Sequence, residues 1–475
     1  MQVANFYTPT SGGLRIALDE LGRGYRQAGH ERVLIVPGPA ESVEQTPAGQ
    51  RITVRGLSLP GLGDYRILTG RRRVLRLLDA TPPDVLEVSD KISLGWLARW
   101  SRRRGVPLVL FSHERLDAIL LPRVPRWFPL RATANTVNRR LSRLVDRVVV
   151  TSAFSAAEFE RIGAPNVRRI PLGVDLATFR PEPAVPPRSA AAADRLEPGV
   201  SPCSVTATDR PEPEAPPRSA IATDLYGDRP GPEVPPRSAA AADRLEPGVS
   251  PCSVTATDRP GPEVPPCSVT AADRPESGVP PCSAAATDPY GDRPVRLVTV
   301  TRLSREKRPE VAIDALAALR DQGVDAALVV VGDGPHRKRL RRRARGLPVT
   351  FLGHLSDRQA VAGLVAAADV ALFPSPAETF GLATLEALAC GTPVVVPPEG
   401  AARELLDGPG SGAVSDGTSS GMADAVRGLL SIPADRRRAA ARAAAERYPW
   451  AETVAGLLRG YEVIGRASAE VSPSR

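Results

Sequence analysis

The sequence predicts an α/β protein of two domains, each a parallel sheet flanked by helices, facing one another across a cleft and separated by a disordered insert. Three observations predict it. Short apolar, β-branched runs alternate with helix-like stretches at both ends of the 475-residue chain. The two alternating halves are similar in size. A proline-rich repeat, Arg180–Pro294, lies between them.

Before the insert, VLIVP from Val33, DVLEVS from Asp84, PLVLFSH from Pro107 and DRVVVTS from Asp146 read as buried parallel strands. Helices are expected over Gly13–Ala28, Gly70–Ala80, Leu94–Arg104, Ala132–Leu144 and Ala153–Ile162. After it, VRLVTVTR, AALVVVGDG, VTFLGH, DVALFPS and TPVVVPP are strands, with helices over Pro309–Gln322, Gln359–Ala367 and Thr384–Ala389. Such alternation gives Rossmann-like sheets that take ligands at the carboxyl ends of their strands. The expected organisation is a first domain at 1–179, a linker at 180–294, a second domain at 295–433 and an amphipathic helical segment at 434–475.

The insert repeats itself: the copy starting at Arg180 returns at Arg229, and shorter copies start at Arg259 and Arg274. It holds half of the chain's 50 prolines and few bulky apolar residues, with neither helical nor strand period. A segment that cannot bury apolar surface cannot offset its ordering entropy. Stacked solenoid repeats are the competing idea, and the repeat lacks the core-forming stripe they need. A ligand for proline-binding domains is a further alternative. Four of the five cysteines lie here, in no metal or redox spacing.

Net charge is +9, but the insert's 11 arginines against 17 acids leave +15 for the rest. That surplus suits an anionic partner: nucleic acid, a nucleotide substrate or an anionic membrane face. No apolar run spans a bilayer, and the first residues carry no secretory pattern, so a cytoplasmic location is expected.

The richest segment is PSPAETFGLATLEALACGTP, from Pro374. A strand runs into a turn, then into a helix expected to start near Phe380. Free N–H groups at a helix start suit a phosphate, and Gly381 permits close backbone approach. Glu378 precedes the helix and Glu386 lies about a turn and a half inside it, so the two carboxylates can reach opposite ends of one ligand. Read singly, they would be a helix cap and a solvated surface residue. A second cluster is VTVTRLSREKRPE, from Val298, whose Arg302 and Lys307 can stabilise a departing diphosphate. Gly12 and Gly13 follow the first strand as SGG. His113 ends a strand at the edge that should border the cleft.

The string E-T-F-G-L-A-T-L-E resembles the paired-glutamate motif of family 4 glycosyltransferases, which are retaining enzymes of the GT-B fold. The resemblance implies that Glu378 binds the hydroxyls of the donor sugar and that Glu386 holds its ribose. It implies that Gly381 and Leu382, beside Phe380, offer backbone amides to sugar or phosphate. TRLSREK resembles the family's G-R-L-x-x-E-K, with Arg302 and Lys307 as the diphosphate clamp and Thr301 where the family usually has glycine. SGG resembles the family's first glycine loop, and VVGDGP a structural turn of its second domain. His113 matches a histidine that contacts the donor sugar, with Arg115 and Asp117 as acceptor contacts.

Within the family, NFYTPTSGGLR, EVSDK and SHERLDAIL look most like actinobacterial mannosyltransferases that build phosphatidylinositol mannosides from GDP-mannose. The expected partners are a nucleotide-sugar donor and a lipid or glycan acceptor, with no nucleic acid. No cofactor or metal is expected, because the cationic clamp can do a divalent ion's work. The stretch from Trp127 to Val148 can lie on an anionic membrane as a peripheral contact on its inner face, or pack as an ordinary basic-faced helix. Three alternatives stand at this point: use of a UDP-sugar with a small-molecule acceptor, a nicotinamide-dependent oxidoreductase, which lacks its G-x-G-x-x-G fingerprint, and a non-catalytic scaffold presenting the proline-rich segment.

Overall fold

The computed structural model describes residues 1–8, 12–58, 65–91, 93–120, 124–125, 127–181 and 293–470. All of these belong to one compact unit. The expected disordered linker, apart from its two ends, lies outside the described residues, as does Ser11 of the glycine loop.

The first domain carries strands β1 (Gln2–Val3), β2 (Val33–Gly38), β3 (Ser42–Thr46), β4 (Gly49–Arg55), β5 (Leu57–Ser58), β6 (Arg66–Ile67), β7 (Leu86–Val88), β8 (Leu108–Ser112), β9 (Arg147–Val150) and β10 (Val167–Arg169). Its helices are α1 (Gly13–Gln27), α2 (Arg71–Ala80), α3 (Leu94–Arg104), α4 (Leu116–Leu120), α5 (Leu130–Ser142) and α6 (Ala153–Glu160). The main sheet runs β10-β9-β8-β7-β1-β2-β4-β3. It is buried on both faces. Leu86, Val88, Leu108, Leu110, Val148 and Val150 face one core, while Val109, Phe111 and Val149 face another with Ala17 and Leu21 of α1. Burial on both sides is why these strands read as continuous apolar runs.

One expectation is corrected here. The sheet is not wholly parallel, because β3 pairs antiparallel with β4 at its edge. The turn between them uses Gly49 at φ +107, where an added Cβ would meet Arg32 O at 2.4 Å. β3 is largely exposed and polar, so no burial pattern announces it.

The second domain carries β11 (Val295–Val300), β12 (Ala326–Val331), β13 (Val349–Gly353), β14 (Val370–Leu372), β15 (Val394–Val396) and β16 (Gly412–Val414), all parallel, in the order β13-β12-β11-β14-β15-β16. Its helices are α7 (Pro309–Asp321), α8 (Arg337–Arg343), α9 (Arg358–Ala366), α10 (Leu382–Ala389) and α11 (Ser419–Leu430). Leu297, Val370, Leu372 and Val395 pack beneath α7 and α11, while Val298, Ala371, Val394 and Val396 face the opposite core with α9 and α10. Local chemistry sets the helix starts: Pro309 opens α7, Asp357 caps α9 and Thr418 caps α11.

Helix α10 begins at Leu382, between the starts expected near Phe380 and at Thr384, with Gly381 at φ +98 as its cap. Phe380 lies outside the helix because Gly381 takes the left-handed conformation, and its ring is buried in the core, edge-on to Tyr448. The last two helices part company. α12 (Ala434–Glu446) packs on α10, whereas α13 (Trp450–Glu470) returns to α1 of the first domain. There Tyr461 OH donates to Glu87 Oε2 at 2.8 Å and Thr453 Oγ1 to Pro171 O at 2.9 Å. α5 buries Leu130, Ala134 and Leu141 against the first domain and leaves Arg131, Arg139 and Arg140 exposed.

Candidate active site

A cavity of about 860 Å³ lies between the two sheets, at the carboxyl ends of β11, β12, β13 and β14. Gly12, Gly13, Arg302, Lys307, Glu378, Gly381, Leu382 and Glu386 all line it. Residues from both domains meet there: an added Cβ on Gly13 would sit 3.5 Å from Leu382 Cδ1.

Lys307 Nζ donates to Glu378 Oε2 at 2.5 Å. Glu378 therefore does not cap α10; it is paired with the cation expected to meet a diphosphate. The ammonium retains two further donors. Arg302 donates to Tyr65 OH at 2.6 Å and to Glu306 Oε1 at 2.8 Å, and its guanidinium lies over the Tyr65 ring. Burial would push the Glu306 carboxyl up, but hydrogen bonds from Arg302 and Ser304 outweigh it and hold the group at about 2. Glu306 thus fixes Arg302 in place as a permanent anion.

Glu386 is no solvated surface residue: its side chain is 12% exposed. Burial pushes its carboxyl up to about 7, against the opposing pull of Arg358.

Thr301 also lines the cavity. Gly332, at φ +128, packs so closely that a Cβ would lie 1.9 Å from Thr301 O, and one on Gly334 would lie 2.5 Å from Leu303 O. The VVGDGP turn is therefore shaped to carry the Arg302 loop.

Four expected residues do not line the cavity: His113, Arg115, Asp117 and Phe380. Phe380 belongs to the core. Arg115 and Asp117 bind each other, at 2.6 Å and 3.2 Å, while Arg161 donates to Asp117 at 3.0 Å and Arg115 to Phe154 O at 3.1 Å. His113 stacks on Phe111 with ring centres 4.4 Å apart, and burial lowers its imidazole to about 3, so the ring is neutral at physiological pH. Its Nε2 is buried with no hydrogen-bond partner among the described residues. Its backbone reaches the motif loop, because Thr379 Oγ1 donates to His113 O at 2.6 Å.

Sequence reasoning did not single out Tyr65, Glu306, Thr379 or Arg358. Glu306 lies inside the matched R-E-K string, so a signal was present. Tyr65 and Arg358 reach the site only through the tertiary fold.

A cleft that gathers several carboxylates and cations at the strand ends is the site of an enzyme that handles an anionic, hydroxyl-rich ligand. Comparisons with known proteins define the class. Residues 11–178 match the model described as Glycosyltransferase Family 4, and residues 294–431 match that described as Glycosyl transferases group 1. The chain is 38% identical over 460 residues to the GDP-mannose-dependent alpha-(1-6)-phosphatidylinositol dimannoside mannosyltransferase of Mycobacterium tuberculosis, covering 96% of this chain and 94% of that protein. The chain belongs to glycosyltransferase family 4 and is a glycosyltransferase.

Among solved structures it is similar to sucrose-phosphate synthase from Thermosynechococcus elongatus, with TM-score 0.62 and 18% identity, over 98% of this chain and 100% of that one. It is also similar to Anabaena HepE in complex with UDP and glucose, with TM-score 0.59 and 17% identity, over 97% and 99%. The fold is GT-B. Among the described residues no helix is long and apolar enough to cross a membrane.

Proposed function

We propose that this glycosyltransferase moves mannose, with retention, from GDP-mannose to a hydroxyl of a phosphatidylinositol mannoside. The observation that carries the reading is the 38% identity running through both domains to a relative named for that donor and that lipid. Membership of the family leaves the donor and acceptor open, because glycogen synthase of Mycobacterium tuberculosis also matches, at 34% identity over 189 residues.

In this reading Glu378 binds the mannosyl hydroxyls and Glu386 the ribose. As the glycosidic bond breaks, charge gathers on the leaving diphosphate. Arg302 and Lys307 are fixed beside it, so no reorganisation is needed when the charge develops. Their two positive charges make the reaction independent of a divalent ion. The acceptor hydroxyl attacks from the face the diphosphate leaves, through an oxocarbenium-like state, and passes its proton to the departing phosphate oxygen. Gly12, Gly13, Gly381 and Leu382 present backbone to the donor. Arg115 and Asp117, paired with each other outside the cavity, take no role in this reading, and His113 reaches the site only through its carbonyl, which accepts from Thr379.

A lipid acceptor calls for a cytoplasmic protein held peripherally on an anionic membrane face. Trp127, 81% exposed, and the outward arginines of α5 supply a surface of that chemistry.

The test is nucleoside diphosphate release from GDP-mannose, UDP-glucose and UDP-N-acetylglucosamine, with phosphatidylinositol mannoside in anionic or neutral vesicles. GDP release that requires the lipid, is faster on anionic vesicles, survives EDTA and drops at least about a hundredfold in Glu378→Ala is expected. Release from a UDP-sugar alone would sink the donor assignment, and loss of turnover in EDTA the metal-free one.

A further inference from the structure

Arg358 occupies the first position of α9, immediately after the capping Asp357. A cation at a helix N-terminus opposes the helix dipole, so the position is not explained by local helix chemistry. Its contacts lie elsewhere. One guanidinium nitrogen is 3.3 Å from Glu386 Oε1 on α10, and the other is 3.3 Å from Glu20 Oε1 on α1 of the facing domain. The guanidinium carbon sits 5.1 Å from the centre of the buried Phe179 ring. One arginine is therefore shared between carboxylates from the two walls of the cleft.

We propose that Arg358 is a positioning residue that keeps Glu386 as an oriented carboxylate able to accept both hydroxyls of the donor's ribose, and that Glu20 competes for Arg358 across the cleft. The proposal rests on the assignment of Glu386 to the ribose. An ionised carboxylate offers two acceptor oxygens, whereas a protonated one spends an oxygen on its proton. Glu386 needs such a partner, because burial, Glu20 and Asp175 all push it toward the protonated form.

The other charges around it do not replace Arg358. Arg23 on α1 is paired with Glu20 at 2.7 Å. On α12, Arg438 donates to Ala366 O and Ala368 O, and Arg442 to Phe179 O and Ala389 O. Cys390, one turn along α10, is held neutral by a thiol pushed up to about 12 through burial.

The test is calorimetric binding of GDP, UDP and 2′,3′-dideoxy-GDP to the full-length protein across the pH range around the Glu386 value. The readout is the ratio of GDP to dideoxy-GDP affinity, in which titration of the phosphates cancels. In the unsubstituted protein this ratio should fall as pH drops through about 7. Arg358→Met should move the fall upward by about one pH unit or more, which is about fivefold in the ratio at pH 7 and approaches about tenfold below it. Arg358→Lys should restore the original profile. Glu20→Gln should move the fall downward, since it removes a repulsion and frees Arg358 for Glu386.

Two variants displacing one profile in opposite directions is a result that a merely structural arginine would not give. A folded Arg358→Met with an unshifted ratio overturns the proposal. Should that variant not fold, an unshifted or upward-shifted ratio in Glu20→Gln overturns it equally. Because ribose is common to both nucleotides, binding of UDP in place of GDP removes the proposed donor and leaves this inference readable with the corresponding dideoxy nucleotide. Binding of neither overturns both.

Discussion

At the scale of single residues, Gly332 sets how closely the turn after β12 packs on the backbone of Thr301. Thr301 N donates to Val331 O at 2.9 Å, so the β-ladder continues to the cavity edge. Gly332 is constrained twice, by its φ of +128 and by the 1.9 Å at which an added Cβ would meet Thr301 O. Gly346, at φ +79, has nothing near its Cβ position and isolates the first constraint. Gly332→Ala should therefore lose about 2 kcal/mol or more of stability, clearly beyond the loss in Gly346→Ala, as read from denaturant midpoints. Equal losses would remove the steric argument.

The same scale shows what a sequence can and cannot carry. The positions of Glu378, Arg302 and Lys307 were legible because each sits in a contiguous string tied to a strand end. The links of Arg302 to Tyr65 and of Arg358 to Glu20 span 237 and 338 residues, and no local pattern encodes such distances.

At the scale of elements, α13 decides how the two ends of the chain are tied together. Its amphipathic pattern predicted a helix but gave no partner, since a period of 3.6 marks a buried face without saying what covers it. The central strands of both sheets were legible for the opposite reason, since burial on two faces leaves only apolar runs, whereas the edge strands β10 and β16, only partly buried, carry no such run. The β3–β4 hairpin was missed because its outer strand is polar and exposed.

The partner of α13 is α1, and the contact is close at Gly24. A Cβ there would lie 2.3 Å from Val454 Cγ2. Gly24→Ala should destabilise by about 1–3 kcal/mol through overpacking, and Val454→Ala by about 1–2 kcal/mol through the lost methyls. The double variant should lose clearly less than the two combined, because the truncated side chain makes room for the new methyl. Strict additivity in thermal or chemical unfolding would show that the helices do not meet at this pair.

At the scale of the whole molecule, the two domains are joined at the cleft by polar contacts that converge on the motif loop. Thr379 donates through its hydroxyl to His113 O, and its own carbonyl accepts from Thr151 Oγ1 at 3.0 Å and Ser152 Oγ at 2.6 Å. Beside it, Glu404 of the second domain accepts from Ala153 N and Phe154 N, both at 2.8 Å. Those are free N–H groups at the start of α6, so a side chain from one domain completes a helix end in the other. Each domain also has a core of its own, which these contacts do not touch.

Losing the Glu404 carboxylate should therefore loosen the cleft more than it weakens the fold. Charge-assisted hydrogen bonds of this kind are worth about 1.5–3 kcal/mol. Glu404→Ala is expected to lower kcat/KM for the donor by about tenfold or more, with the melting temperature lowered by only a few degrees. Thr379→Val should add little to it, since both changes release the same loop from the same domain. Small-angle scattering should report a wider molecule for Glu404→Ala, narrowing again when nucleotide is added. A variant with unchanged dimensions and a melting temperature lowered by ten degrees or so would instead make Glu404 a structural cap, with the cleft held shut by the contacts of Thr379, Arg302 and Arg358.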